Sequence, residues 1–174
     1  MSRTMHPSRC FVLIGPPASG KSTWRAQMLA QSPDEGPFDP VIISGDDLIE
    51  AECAITGETY AEVFARHDFK EQKRILREAF TAAVEAGRDI VVDRTNLTVK
   101  GRRSFLASLP RTYERVGVVF SVPEPLLFER LEARGLATGK TIPRKVVEDM
   151  IASYQPPAPG EFHRIMRPIN YPSM

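Results

Sequence analysis

Between Gly15 and Thr23 the chain reads Gly-Pro-Pro-Ala-Ser-Gly-Lys-Ser-Thr, set between an apolar run, Cys10–Ile14, and a helical pattern that begins near Lys21. The spacing Gly15-x-x-x-x-Gly20-Lys21-Ser22 is that of a P-loop, and the strand–loop–helix context that such a loop needs is present. Glycines allow the backbone conformations and close approach that a Cβ forbids. Successive N–H groups can then turn inward and, with the positive end of the following helix, cradle phosphate anions. Gly15, Pro16, Pro17, Ala18, Ser19, Gly20, Lys21, Ser22 and Thr23 are therefore expected to hold the phosphates of a nucleotide. Within that cradle Lys21 would reach the β- and γ-phosphates, Ser22 would ligate Mg2+ and Thr23 would support the neighbouring phosphate.

Further charged residues fall where they could act on those phosphates. Asp93 closes the run Asp-Ile-Val-Val-Asp, at the strand end where ligands of open α/β sheets gather. It could hold Mg2+ through water, or it could be a turn or capping residue of Asp-Arg-Thr-Asn. Asp46 and Asp47 follow Val-Ile-Ile-Ser in the stretch SGDDLIE. Adjacent carboxylates point in different directions, so Asp46 can serve as a general base towards an acceptor hydroxyl while Asp47 caps a helix. The other reading is that both merely cap. Arg130 and Arg134 lie four apart on one helical pattern and share a face, ahead of a lid-type loop, GLATGKT, over about 135–142. A closing lid would bring guanidinium charge to a transferring phosphate and exclude water. Against this stands a solvent face on which the arginines pair with Glu129 or Glu132.

The elements that must position these residues follow from apolar patterning. Near-continuous runs at 10–14, 41–44, 89–93 and 116–122, with a weaker one at 162–169, read as strands buried on both faces. Helical segments separate them, at 21–32, 60–86, 98–109, from Pro123 to Arg134, and 143–154. A continuous helix over 60–86 would be about 40 Å long, so a break is expected near His67–Asp68, with Thr59 and Glu62 as a capping box at its start. Strands alternating with helices predict a three-layer α/β fold, a mostly parallel five-stranded sheet flanked by helices with a small lid. One domain is expected over 10–174, after a short disordered lead-in, 1–9.

Bulk properties narrow the class. The 174 residues are 42% hydrophobic, enough for one full core, and 23 basic residues nearly balance 22 acidic ones. No global basic field marks a non-specific nucleic-acid binder, though a local groove remains open. No apolar run is long enough to span a bilayer. Cys10, Cys53, His6, His67 and His163 lack the clustering of metal ligands, and the composition suits a reducing compartment, the cytoplasm.

GPPASGKSTW, then DD after the second strand, DRTNL after the third, an R-x-x-x-R and a lid resemble the polynucleotide-kinase-type P-loop kinases over about residues 10–169. The closing PPAPGEF resembles the tail of stand-alone bacterial and phage members. The resemblance implies a P-loop NTPase fold and ATP-dependent phosphorylation of a hydroxyl, with Mg2+. By this likeness Lys21 and Ser22 match nucleotide and metal ligands and Asp46 the base. Asp93, Thr95 and Asn96 match an element near the phosphates and the acceptor, and Arg134 the lid arginine, with Arg130 as a second candidate. Phage members place an arginine after the aspartate pair to hold the acceptor. Here that position is Ile49, followed by Glu50, so a different acceptor pocket is expected, with Arg94 as a compensating charge or a solvent-facing residue.

Three outcomes are distinguished. A nucleic-acid substrate would take the phosphate on its 5′-hydroxyl or on a hydroxymethyl group of a modified base, as in phage relatives; a phage-encoded protein would act in the host cytoplasm. A small-molecule kinase for a nucleoside, sugar or antibiotic is the alternative, and a nucleotide-binding switch the third. Tyr60, Phe64 and Trp24 are candidate stacking residues or core.

Overall fold

The structure is a computed structural model that describes residues 7–30 and 38–168. The apolar runs become β1 (Arg9–Ile14), β2 (Val41–Ser44), β3 (Ile90–Asp93), β4 (Glu114–Val119) and the short β5 (Arg164–Met166). They form one five-stranded sheet in the order β2-β3-β1-β4-β5 with every pairing parallel. Parallel strands end on the same side, so the residues after β1, β2 and β3 share one edge.

Among the described residues the helices are α1 (Lys21–Ala30), α2 (Gly45–Thr56), α3 (Tyr60–Arg66), α4 (Phe69–Glu85), α5 (Val99–Leu106), α6 (Glu124–Thr138) and α7 (Arg144–Ala152). Alternate residues of β1 serve the two outer layers. Cys10, Val12 and Ile14 pack with Leu76, Phe80 and Ala83 of α4 and Leu106 of α5. Phe11 and Leu13 pack with Trp24 of α1, Val116, Val118 and Phe120 on the other face. Each such side chain contributes about 1.5–3 kcal/mol of burial, which makes β1 the anchor of the domain.

The break at His67–Asp68 is present, because the Asp68 carboxylate accepts the N–H groups of Lys70 and Glu71 and starts a new helix; the Thr59–Glu62 capping box is also formed. Other boundaries differ from the sequence reading. Of the expected lead-in, residues 1–6 lie outside the described residues. Ser8 and Arg9 are ordered, the first donating to Gly87 O and the second extending β1 and pairing with Asp89. A charge pair holds that end, which hydropathy does not signal. The expected strand at 116–122 begins and ends earlier, Glu114 N–H donating to Ser8 O. Helix α6 runs through Gly135 to Thr138 and stops at Gly139, whose φ of 71° is left-handed. A Cβ on Gly135 would lie 3.0 Å from Thr141 Cγ2, so this glycine admits a returning loop rather than ending a helix. Residues 31 and 32 of the expected first helix and 169 of the expected last strand lie outside the described residues.

A buried ion pair closes the fold. Arg102 of α5 is fully buried, and its guanidinium donates to both Glu161 oxygens at 2.6 and 3.0 Å. It also donates to the carbonyls of Asn96, Gln155 and Pro156, which pins the 155–161 turn over α5. Glu161→Ala would leave that guanidinium uncompensated. We expect a loss of about 3–5 kcal/mol in urea unfolding, and a loss below about 1 kcal/mol would show that water reaches the site.

Candidate active site

The loop between β1 and α1 is shaped by two glycines for different reasons. A Cβ on Gly15 would lie 2.6 Å from Ser19 Oγ, and Gly20 holds φ at 99°, where side chains are strained. Gly15 N–H donates to Thr95 O at 3.0 Å, which ties the loop to the segment after β3. Ala18 is also left-handed, with φ 61°, and packs against the cluster of Leu127, Leu131 and Val147 at the base of α6 and α7. Lys21 Nζ folds back to donate to Gly15 O and Pro16 O at 2.8 and 2.7 Å. Ser22 and Thr23 stand exposed on the first turn of α1, and the Ser19 hydroxyl is buried without a partner.

Asp93 ends β3, and β2 pairs with it so that Ser44 is level with Asp93. Ser44 caps α2, accepting from Asp47 N–H and donating its hydroxyl to Asp47 Oδ1 at 2.8 Å. The capping role foreseen for Asp47 therefore belongs to Ser44, because only the residue before the helix can turn its side chain onto the free N–H groups. The Asp47 carboxylate instead meets Arg25, whose Nη1 lies 3.0 Å from Asp47 Oδ2 and 2.8 Å from Asp93 Oδ2. Arg25 was not foreseen. Its signal is its place on α1, four residues and one turn beyond Lys21, on the face of that lysine.

Asp46 points to a second group of contacts. Tyr60 OH donates to its Oδ1 at 3.0 Å and Lys140 Nζ to its Oδ2 at 2.6 Å. Lys140 also lies 3.2 Å from Glu50 Oε1 and 4.3 Å from the centre of the Tyr60 ring. This lysine comes from the turn after α6, so the lid is drawn across Asp46. Ile49 is buried in the core, where a cation would be desolvated, and the positive charge beside Asp46 comes from Lys140. Arg94 is exposed and lies over the Phe105 ring at 5.7 Å. Asn96 is buried, and its amide donates to Leu13 O, Val92 O and Arg94 O. Half-buried Arg130 and Arg134 share α6. Nε and Nη2 of Arg134 are buried without a partner.

The charges shape one another. Burial lowers the Lys21 pKa from 10.5 to about 8, with the Asp93 and Asp46 carboxylates opposing and Arg134 and Lys140 reinforcing the fall. Burial likewise pushes Asp93 above its ordinary value, against the pull of Arg25 and Lys21. Desolvation also acts to raise Asp46, but the Lys140 ammonium and the Tyr60 hydroxyl outweigh it and hold the carboxyl below its ordinary value. The unpartnered guanidinium N–H groups of Arg134 fit an anionic ligand, since leaving each unmade costs about 1–3 kcal/mol. The hydroxyl of Ser22 and the carboxylate of Asp93 are the hard oxygen donors that suit Mg2+.

Comparison with known proteins agrees with this geometry. The family model described as an AAA domain matches residues 11–157. The chain belongs to that family. No curated protein sequence matches it. Among solved structures, a chain of the Pnkp1/Rnl/Hen1 RNA repair complex superposes with TM-score 0.66 at 20% identity, covering 86% of this chain and 45% of its own. This chain thus spans less than half of that relative. A fungal RNA kinase gives TM-score 0.61 at 16% identity, with 96% and 76% covered. A gluconokinase from Sinorhizobium meliloti 1021 gives 0.54 at 18%, with 95% and 85% covered. The shared fold is that of the P-loop kinases, and among the described residues no helix is long and apolar enough to cross a membrane.

A polyphosphate near Lys21 favours its ammonium form, so it raises the pKa that burial has lowered. Binding ATP should therefore take up a proton above about pH 8, and affinity should fall as pH rises beyond that value. Calorimetry at about pH 9 in two buffers of different ionisation enthalpy should give unequal binding enthalpies, and at about pH 7 equal ones. Equal enthalpies at both would mean that Lys21 is fully protonated throughout.

Proposed function

We propose that this protein is an ATP-dependent kinase that transfers the γ-phosphate to a hydroxyl carried by a nucleic acid. The observation that carries the reading is the convergence of Lys21 at the start of α1, Arg134 from α6, and Asp46 at the start of α2. The charges of the first two act on one another and on Asp46. Gly15 to Thr23 would hold the phosphates, with Lys21 and Arg134 facing the transferring group and Arg130 beside it. Ser22 directly and Asp93 through water would hold Mg2+, which when bound neutralises phosphate charge. Thr95 would border the acceptor, and Asn96 would hold that segment in place from behind.

The acceptor hydroxyl displaces Lys140 from Asp46, and the carboxylate takes its proton as the oxygen forms a bond to the γ-phosphorus. The bond from that phosphorus to the β–γ bridging oxygen breaks and ADP leaves. A carboxylate of lowered pKa accepts a proton only as the alcohol oxygen loses it in the transition state, so orientation matters more than basicity. Asp47, held by Arg25, keeps α2 in register. The neighbours acting on RNA favour a nucleic-acid acceptor, either the 5′-end or a hydroxymethyl base. A small-molecule acceptor is the second reading, favoured by the acidic pair Asp46 and Glu50 and by the gluconokinase likeness.

ATP labelled on its γ-phosphate, with Mg2+, should label an oligonucleotide with a free 5′-hydroxyl or a 5′-blocked one containing hydroxymethyl pyrimidines, and digestion to nucleotides locates the label. Label on nucleosides alone would establish the second reading. Asp46→Asn should keep ATP binding and lower transfer by about 10²–10⁴-fold; near-normal transfer would remove Asp46 as the base. Arg134→Ala should lower kcat more than ATP affinity, and an unchanged kcat would leave it a structural residue.

A further inference from the structure

Beside Asp46 lies a run of aromatic rings, half-buried at Tyr60, where Lys140 lies over the ring, and exposed at Phe64 and Phe69. Tyr60, whose hydroxyl donates to Asp46, stacks on Phe64 with ring centres 5.9 Å apart and planes 24° from parallel. Phe64 meets Phe69 edge to face at 5.1 Å, across the break between α3 and α4. Phe64 and Phe69 are 46% and 49% exposed, although Val63, the neighbour of Phe64 on α3, is buried in the core. Trp24, by contrast, is enclosed between Phe11 and Phe120 and is not available to a ligand.

The charges around the ladder are uneven. Arg66 pairs with Glu52 and Glu58, and Arg74 with Glu71 and Glu78, so these acids are already neutralised. Lys70, Lys73 and Arg77 follow Phe69 along α4 at a spacing that sets them on one exposed stripe, and none forms an ion pair among the described residues. Exposed rings flanked by unneutralised cations match one class of ligand, a polyanion with flat apolar faces between its charges.

We propose that Tyr60, Phe64 and Phe69 form a stacking platform for the unpaired bases of a single-stranded nucleic acid, whose phosphates run along Lys70, Lys73 and Arg77. This rests on the reading of the acceptor as a nucleic acid and adds where the strand lies. A duplex hides the faces of its bases within its own stack, so single strands are preferred. The ladder starts one hydrogen bond from Asp46, so a base that takes the place of Lys140 over Tyr60 brings its nucleotide to the proposed base, while Phe64 and Phe69 take neighbours. The platform thus supplies the holding function that Ile49 does not.

Fluorescence anisotropy of labelled single strands of about twelve nucleotides, DNA and RNA in separate arms with a duplex as competitor, tests this without any transfer step. The expected result is tighter binding of single strands than of duplex. Phe64→Ala and Phe69→Ala should each weaken it about tenfold with ATP affinity unchanged. Phe64→Trp should retain binding, which guards against a loss caused by misfolding. Lys70→Ala with Lys73→Ala should reduce the slope of log affinity against log salt by about 1.4. No binding of single strands, or equal binding by the Phe→Ala variants, overturns the platform. The labelling assay separates the two readings. Label on the strand with ring-independent binding removes the platform alone, and ring-dependent binding without label on the strand supports the platform and removes the acceptor assignment.

Discussion

The amide of Asn96 joins the carboxyl ends of β1 and β3 by donating to Leu13 O and Val92 O, and the arrangement of the site hangs on that junction. One residue earlier, Thr95 O accepts from Gly15 N–H, so the same short segment also sets where the phosphate loop leaves β1. Behind it, Arg102 donates to Asn96 O and anchors Glu161. A line of bonds therefore runs from the turn before β5 to the loop. Asn96 holds φ at 48°, a strained conformation for which its side-chain bonds compensate.

Upon that frame, charge balance decides which side chains can stay. Asp47 and Asp93 would repel one another across the edge of β2 and β3 without Arg25 between them. Asp46 and Glu50 are likewise held by Lys140. For Lys21 burial disfavours the charge, and two buried guanidinium N–H groups of Arg134 are unmet. The acidic groups are thus compensated, while the Arg134 guanidinium is left wanting an anion.

Much of this was legible in the sequence because it rests on local rules. The loop from Gly15 to Thr23, the four buried strands and the break at Asp68 all follow from spacing, periodicity and capping. What escaped depends on residues far apart in the chain. Arg25 pairs with Asp47 and Asp93, and its place one turn beyond Lys21 does not by itself name those distant partners. Lys140 meets Asp46 across the lid, and Arg102 meets Glu161 within the core. Gly135 misled for a related reason. A glycine that ends a helix and one that admits a neighbouring chain look alike until Thr141 is seen against it. Of the candidate site, Asp46 is held by Tyr60 and Lys140 and Lys21 by two loop carbonyls, whereas the Asn96 amide faces into the strands.

The doubly occupied carboxylate of Asp46 bears on economy of nucleotide use. Tyr60 donates to one of its oxygens and Lys140 to the other, although the side chain itself is 59% exposed. Water is always more abundant than any acceptor alcohol, and a kinase with a bare base would hydrolyse ATP to no purpose. Under the proposed reaction the Lys140 ammonium holds down the basicity that any alcohol or water meets at Asp46, and the lid contact must be displaced before that restraint is lifted.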